Sequence, residues 1–411
     1  MNNKLIIEGG KKAFKKTLNP AGSFPDSVKE NVNRVLDEGR LFRYMVKEPE
    51  NNEVSLTEKE FADYIGRKYA VAFNSCSSAM FTSLLIAGVK PGDNVFMPAF
   101  TFSAVPGSIV HANANPIMID INEKYVIDLD SFKNSIAENP ETKVLLLSYM
   151  RGHVPNLDKV SEICETNNIT LIEDCAHALG TKWNGRSIGN LGLAACFSTQ
   201  SYKMIDGGEG GFLVTDDDKT AAKAILYAGS YETNWKSHFN TELNPYLKDL
   251  QKKIPPFNFR MTMLNAATIR PQIGLIDSRA KVYNKKFERL VKILSKTKHI
   301  EIPKWDYKFE GVADSIQFNL IDLSNSQKQM FMELNHQEGI PVSLFGITKN
   351  NARCFWNWEY FKNNQNMFQA KEILYSACDM RLPFYLDDGD IDLLGNTMLK
   401  IIEYLKNDNK L

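Results

Sequence analysis

Ala194-Ala-Cys-Phe-Ser-Thr-Gln-Ser-Tyr-Lys-Met-Ile-Asp-Gly-Gly-Glu-Gly-Gly-Phe-Leu-Val-Thr215 carries an apolar run at each end, with Lys203 and a cluster of glycines between them. Each run is too short for a buried helix and is bounded by turn residues, so each reads as a strand covered on both faces. The same pattern recurs upstream in Tyr69-Ala-Val-Ala-Phe73, Asn94-Val-Phe-Met97, Pro116-Ile-Met-Ile119, Lys143-Val-Leu-Leu-Leu-Ser148 and Ile169-Thr-Leu-Ile172. Helical stretches such as 77–87 and 157–166 lie between these runs. Alternation of this kind predicts an α/β fold, a large and mostly parallel sheet covered by helices. In such sheets ligands sit beyond the carboxyl ends of the strands. Asn74, Asp174 and the stretch 100–102 all fall at strand ends.

Past residue 275 the pattern changes. The spacing predicts a long helix over 276–297, a strand over 315–321 and a helix over 326–338, which together suit a smaller α+β domain. A chain of 411 residues exceeds one compact core. The expected division is an N-terminal arm at 1–30, punctuated by Pro20, Gly22 and Pro25, a large domain at 31–275 and a small one at 276–411. The Asn- and Trp-rich stretch 350–366 reads as a loop.

Lys plus Arg and Asp plus Glu both number 49, so the formal net charge is zero. A dedicated nucleic-acid binder needs a basic face, so that class is set aside. No apolar run approaches the ~20 residues of a membrane span, and the N-terminus lacks the apolar core of a signal peptide. The expectation is a cytoplasmic protein without a membrane partner. None of the six cysteines forms a C-x-x-C pair, so neither a zinc site nor a disulfide framework is suggested, and no metal is expected.

Two residues point to the chemistry. Lys203 follows a buried-looking strand, and burial would lower its pKa toward the neutral amine that attacks carbonyls. Asp174 ends the strand begun at Ile169. An amine that forms a Schiff base, with a carboxylate to pair with a pyridinium nitrogen, is what pyridoxal 5'-phosphate (PLP) asks of a protein. Alone, each residue has an ordinary alternative: a solvated lysine, and an aspartate capping a helix. His177 is a cofactor contact or a satisfied core histidine. Ser75, Cys76 and Ser77 lie at a strand-to-helix turn suited to phosphate, or form a plain N-cap. Phe102 either stacks on a cofactor ring or fills the core. The glycines at 207–211 precede a strand and lack dinucleotide spacing, so they are not a dinucleotide fingerprint.

In order, Glu173-Asp-Cys-Ala-His-Ala-Leu-Gly180, Phe197-Ser198 with Lys203 and its glycines, and Phe257-Asn-Phe-Arg-Met-Thr-Met-Leu-Asn-Ala-Ala267 resemble the DegT family of PLP-dependent sugar aminotransferases. The resemblance implies a fold-type I transferase acting as a homodimer with shared active sites. By match to its motifs, Lys203 is the Schiff-base lysine and proton shuttle, and Asp174 pairs with the pyridine nitrogen. His177 packs near the cofactor. Ser198 and the turn at Ser75, Cys76 and Ser77 hold the phosphate, Phe102 stacks on the ring, and Asn258 reaches the phosphate of the neighbouring subunit. The implied donor is L-glutamate and the acceptor a keto-sugar, often nucleotide-linked. A PLP-type sugar dehydratase of the same fold would carry histidine at the lysine position, so Lys203 weighs against it. Lys203, Asp174 and the phosphate turn together weigh against a non-catalytic regulator.

The chain departs from the family pattern in several places. Cys76-Ser77 replaces the usual Gly-Thr, Tyr149 stands where many relatives have histidine, and Gly39-Arg-Leu-Phe-Arg-Tyr44 replaces a common Trp-containing segment. The Phe-Arg-Tyr piece and the Trp-rich loop resemble the branch that includes the 8-amino-3,8-dideoxy-octulosonate transaminase, whose acceptor is a free keto-sugar acid. On that reading Arg43 or Arg151 would hold a carboxylate, and Tyr149 would sit among the substrate contacts. Either arginine is equally an ordinary structural ion pair.

Overall fold

The computed structural model describes residues 4–18, 24–306, 308–361 and 365–407. Seven strands form the main sheet: β1 (Tyr69–Phe73), β2 (Asn94–Pro98), β3 (Asn115–Ile119), β4 (Val144–Ser148), β5 (Thr170–Asp174), β6 (Ala194–Ser198) and β7 (Gly211–Thr215). Their order is β1-β7-β6-β5-β4-β2-β3. All run parallel except β7, which is antiparallel to both neighbours, with Ser198 opposite Gly211 and Tyr69 opposite Thr215.

Every residue of β1, β4, β6 and β7 is buried, as continuous apolar runs require. Strand alternation sends successive side chains into two cores. Tyr69, Val71 and Phe73 meet helices Cys76–Ile86 and Asp218–Ala228, while Ala70 and Ala72 meet helices Glu53–Ile65 and Met263–Ile273. Phe61 stacks on Phe212 with ring centroids 4.1 Å apart and meets the edge of Phe197 at 5.3 Å. Truncating so enclosed a ring to alanine costs about 3–5 kcal/mol.

A second, antiparallel sheet has the order β8-β9-β11-β10, formed by β8 (Ile300–Glu301), β9 (Ser315–Leu320), β10 (Ser343–Leu344) and β11 (Ala377–Arg381). Helices Ile276–Leu294, Asn325–Gln337 and Asp388–Lys406 enclose a third core with it. The N-terminal stretch does not hang free of that core. Leu5 and Phe14 are buried in it, and the amides of Ile6 and Ala13 donate to the Glu338 carboxylate at 2.6 and 2.9 Å. Pro20 and Gly22 lie outside the described residues, and helix Asp26–Glu38 starts ahead of residue 31. The stretch 350–366 is tied down too: Cys354, Phe355 and Trp358 are buried in the large core, and 362–364 fall outside the described residues. Among the described residues, no helix is long and apolar enough to cross a membrane.

Candidate active site

The carboxyl edge of the main sheet gathers the chemistry. β5 ends at Asp174, β6 ends at Ser198 just before Lys203, and β1 leads into the turn at Ser75. Because β7 is antiparallel, its first residue, Gly211, lies at the same edge. These elements wall a cavity of about 460 Å³ whose lining includes Ser75, Cys76, Ser77, Phe102, Asp174, His177, Ser198 and Lys203.

The turn at one end is built for close approach. The Ser75 Oγ accepts from the Ser78 amide at 3.1 Å and so caps helix Cys76–Ile86. A helix start carries amides without intrahelical partners and a partial positive charge, which suits an anion. Gly211 packs against that start: a Cβ there would lie 2.5 Å from the Cys76 nitrogen. Only glycine lets β7 begin so near the turn.

At the floor, Asp174 is buried. Its carboxylate accepts from the Ser148 hydroxyl at 2.7 Å and the Ala176 amide at 3.1 Å, and the Cys76 thiol lies 3.9 Å away. Burial pushes the carboxyl pKa up, and the Ser148 and Ala176 hydrogen bonds oppose that shift.

Lys203 rises from a turn closed by backbone bonds from Thr199 to Gly210 and from Ser201 to Gly208, at 3.0 and 3.1 Å. Burial pushes its amine down to about 7, helped by the positive charge of Arg381. Its Nζ lies 2.9 Å from Nε2 of His177. Burial first, and then the Lys203 charge, hold the imidazole pKa well below the usual histidine range. His177 is therefore neutral, and its buried Nδ1 has no hydrogen-bond partner among the described residues. The pair thus joins an uncharged imidazole to an amine that is half neutral near pH 7.

The structure relocates the residues expected to meet substrate. Arg43 is not at the cavity: it is fully buried, and its Nη1 pairs with Glu58 at 2.8 Å beside His238. Tyr149 is also turned away, its buried hydroxyl donating to Glu173 at 2.8 Å. Arg151 is buried against Asp379, outside the cavity lining. Both arginine expectations for substrate are therefore corrected to internal ion pairs. Asn258 is exposed and likewise lies outside the lining. The neighbouring Phe259 carbonyl accepts from the Asn74 amide at 2.6 Å, which ties this segment to the phosphate-type turn. Phe102 borders the cavity and is 43% exposed, whereas Phe100 is core.

Sequence reasoning missed Gln200, Tyr202, Glu209, Arg353 and Arg381, all in the lining, and Ser148, which holds Asp174. Gln200 and Tyr202 flank the lysine and were findable by proximity. Arg353 and Arg381 come from the far end of the chain, and no local pattern marks them.

A group bearing an aldehyde, a basic ring nitrogen and a phosphate would meet matching chemistry here. It would find an amine half neutral near pH 7, a buried carboxylate and a serine-rich helix start within one cavity. PLP is such a group, and the residues present fit it.

Comparison with known proteins agrees. Over 221 residues the chain is 34% identical to GDP-perosamine synthase of Caulobacter vibrioides, a match covering 54% of this chain and 56% of that one. It is 31% identical to the uncharacterized protein MJ1066 of Methanocaldococcus jannaschii over 84% of this chain and 89% of its relative. The chain thus spans little more than half the length of the first relative and most of the second. In fold it resembles Spr1654 of Streptococcus pneumoniae in its PLP form, with a TM-score of 0.82 at 19% identity over 95% of this chain and 100% of that one. Residues 27–396 match the model of the DegT/DnrJ/EryC1/StrS aminotransferases, and the chain belongs to that PLP-dependent family.

Proposed function

We propose that this protein is a PLP-dependent aminotransferase that moves an amino group from L-glutamate to a keto-sugar. The observation that carries the reading is the half-buried Lys203 amine, poised near neutral pH and 2.9 Å from a neutral His177, in the cavity that also holds Asp174. When bound, the cofactor supplies a carbonyl that exchanges oxygen for nitrogen and a ring that withdraws electrons from the reacting carbon. Asp174 would offer its buried carboxylate to the ring nitrogen and so hold a proton there. The start of helix Cys76–Ile86, with Ser75, Ser77 and Ser198, would hold the phosphate, and Phe102 would cover the ring. Lys203 takes a proton from the donor carbon at Nζ and returns one to the acceptor. His177 keeps Nζ in place and, being neutral, leaves it basic.

The name of the Caulobacter relative supports a sugar acceptor, and production of amino sugars for surface glycans in the cytoplasm suits it. A homodimer belongs to the same reading. Asn258, exposed beside the phosphate turn, is assigned to the neighbouring subunit's cofactor.

The test is an absorbance spectrum of PLP-loaded protein before and after L-glutamate. Conversion of a visible band to a near-ultraviolet one supports the reading. A loaded enzyme whose spectrum ignores glutamate and every other amino donor sinks it.

A further inference from the structure

Three arginines crowd the side of the cavity contributed by the C-terminal part of the chain, and two of them already have partners. Arg381 pairs with Asp314 at 2.5 Å. Arg151, behind the lining, pairs with Asp379, whose other oxygen accepts from the Gln317 amide at 2.8 Å. Arg353 lines the cavity and forms no ion pair among the described residues. Its Nε is buried without a hydrogen-bond partner among the described residues. Glu209 is the other acidic residue of the lining besides Asp174, and it forms no ion pair with Arg353.

The place of Arg353 is as telling as its isolation. Its guanidinium lies 5.9 Å from the centre of the Phe102 ring, within cation–π reach. Its loop is pinned to the segment that follows β2: the Ser103 amide donates to the Ala352 carbonyl at 3.0 Å and Cys354 bridges to Phe100, while the Trp358 indole, within the loop, donates to the same carbonyl at 3.0 Å. The Arg353 amide donates to Asn351 Oδ1 at 3.0 Å. Asp379 attracts this half-buried guanidinium from a distance but is paired directly with Arg151, so the positive charge at Arg353 is left only partly compensated, and a ligand that supplies an anion would complete it. Its planar fork matches a carboxylate.

We propose that Arg353, which lines the same cavity as Lys203, is the carboxylate anchor of the active site and reads the carboxylate of an amino-acid donor or of a keto-sugar acid. The proposal rests on the aminotransferase reading and replaces Arg43 and Arg151 as the carboxylate site. The paired Arg381 beside it strengthens the field without offering a free fork.

Maleate, a dicarboxylate with neither amine nor ketone to react, is the probe. It is titrated calorimetrically into PLP-loaded wild type, Arg353→Gln and Arg353→Lys. Loss of one charge-assisted pair weakens binding roughly 10- to 100-fold in Arg353→Gln. Arg353→Lys falls between, because an ammonium keeps charge but not the fork. Retention of PLP stays at the wild-type level in both.

Half-reactions followed separately identify the source of the carboxylate. A higher KM for glutamate with kcat kept assigns the donor. The same change confined to carboxylate-bearing keto-sugars, sparing nucleotide-linked ones, assigns the acceptor. Equal maleate affinity in wild type and Arg353→Gln overturns the proposal, as does loss of PLP in place of maleate, or half-reactions that both ignore the substitution. Failure of wild type to respond to any amino donor overturns the aminotransferase reading instead, and the maleate titration is read independently of it.

Discussion

Replacing Lys203 with methionine should make the cofactor-free protein more stable at neutral pH while abolishing transamination. The reason lies in where the amine is kept. Its pKa falls from an ordinary 10.5 to about 7 because burial disfavours the ammonium. At about 1.4 kcal/mol per unit, holding that amine in the folded state costs roughly 5 kcal/mol at pH 7 and below. Methionine removes the cost but leaves His177 Nε2 without its neighbour, a loss of about 1–3 kcal/mol. The net gain at pH 7 is then about 2–4 kcal/mol. The sign with pH follows from proton binding. Between pH 7 and 10.5 the unfolded chain binds more protons at this lysine than the folded one, so wild-type stability rises with pH at up to about 1.4 kcal/mol per unit. The variant lacks that slope, so its advantage shrinks as pH rises and inverts by about pH 10, where the remaining penalty on the wild-type amine, about 1 kcal/mol, no longer exceeds the lost contact with His177. Urea unfolding of both cofactor-free proteins at pH 7, 8, 9 and 10 measures the gap. A variant less stable at pH 7, or a gap constant across the range, would refute the reasoning.

Ser148→Ala should raise the Asp174 pKa further, so that loss of PLP on acidification begins at a higher pH, with affinity at neutral pH about tenfold weaker. Unchanged PLP release from pH 5 to 8 would count against that role. Arg43→Met should destabilise by about 3–5 kcal/mol because it leaves Glu58 buried without its guanidinium, while KM per folded molecule stays at the wild-type value. A selective rise in KM would restore Arg43 as a substrate residue. Mixing Asn258→Ala with Lys203→Ala should give hybrid dimers that recover part of the activity both parents lack. Folded, PLP-containing hybrids with none would remove the support for a shared site.

The strands were legible because β1, β4, β6 and β7 are buried from end to end and so read as unbroken apolar runs. Lys203, Asp174 and His177 were legible because they sit at the ends of such strands within short motifs, where a few residues of local sequence determine both position and neighbours. The arginines were not. Arg43 follows Phe42 in an exposed-looking segment, yet Glu58 on the next helix and His238 far along the chain bury it. Arg353 reads as one residue of a polar loop, and it is the long-range pairing of Ala352 with Ser103 and of Cys354 with Phe100 that brings it to the cavity. Ser148 ends β4 like any small strand residue until β5 sets Asp174 beside it in register. Local pattern decides what an element is, and pairing across the sheet decides what its polar residues meet.

The single antiparallel strand has a kinetic consequence. Parallel neighbours need a long crossover before they can pair, whereas β6 and β7 are joined directly through the turn that bears Lys203. That ribbon closes a short loop and is available early, while β1 must return across most of the large domain to meet β7. We expect pulse-labelled amide exchange during refolding to protect Phe197 and Phe212, which bond across that ribbon, before Val71 and Leu213, which bond between β1 and β7. The reverse order would show that the lysine's mount is assembled last rather than serving as the seed on which the sheet grows.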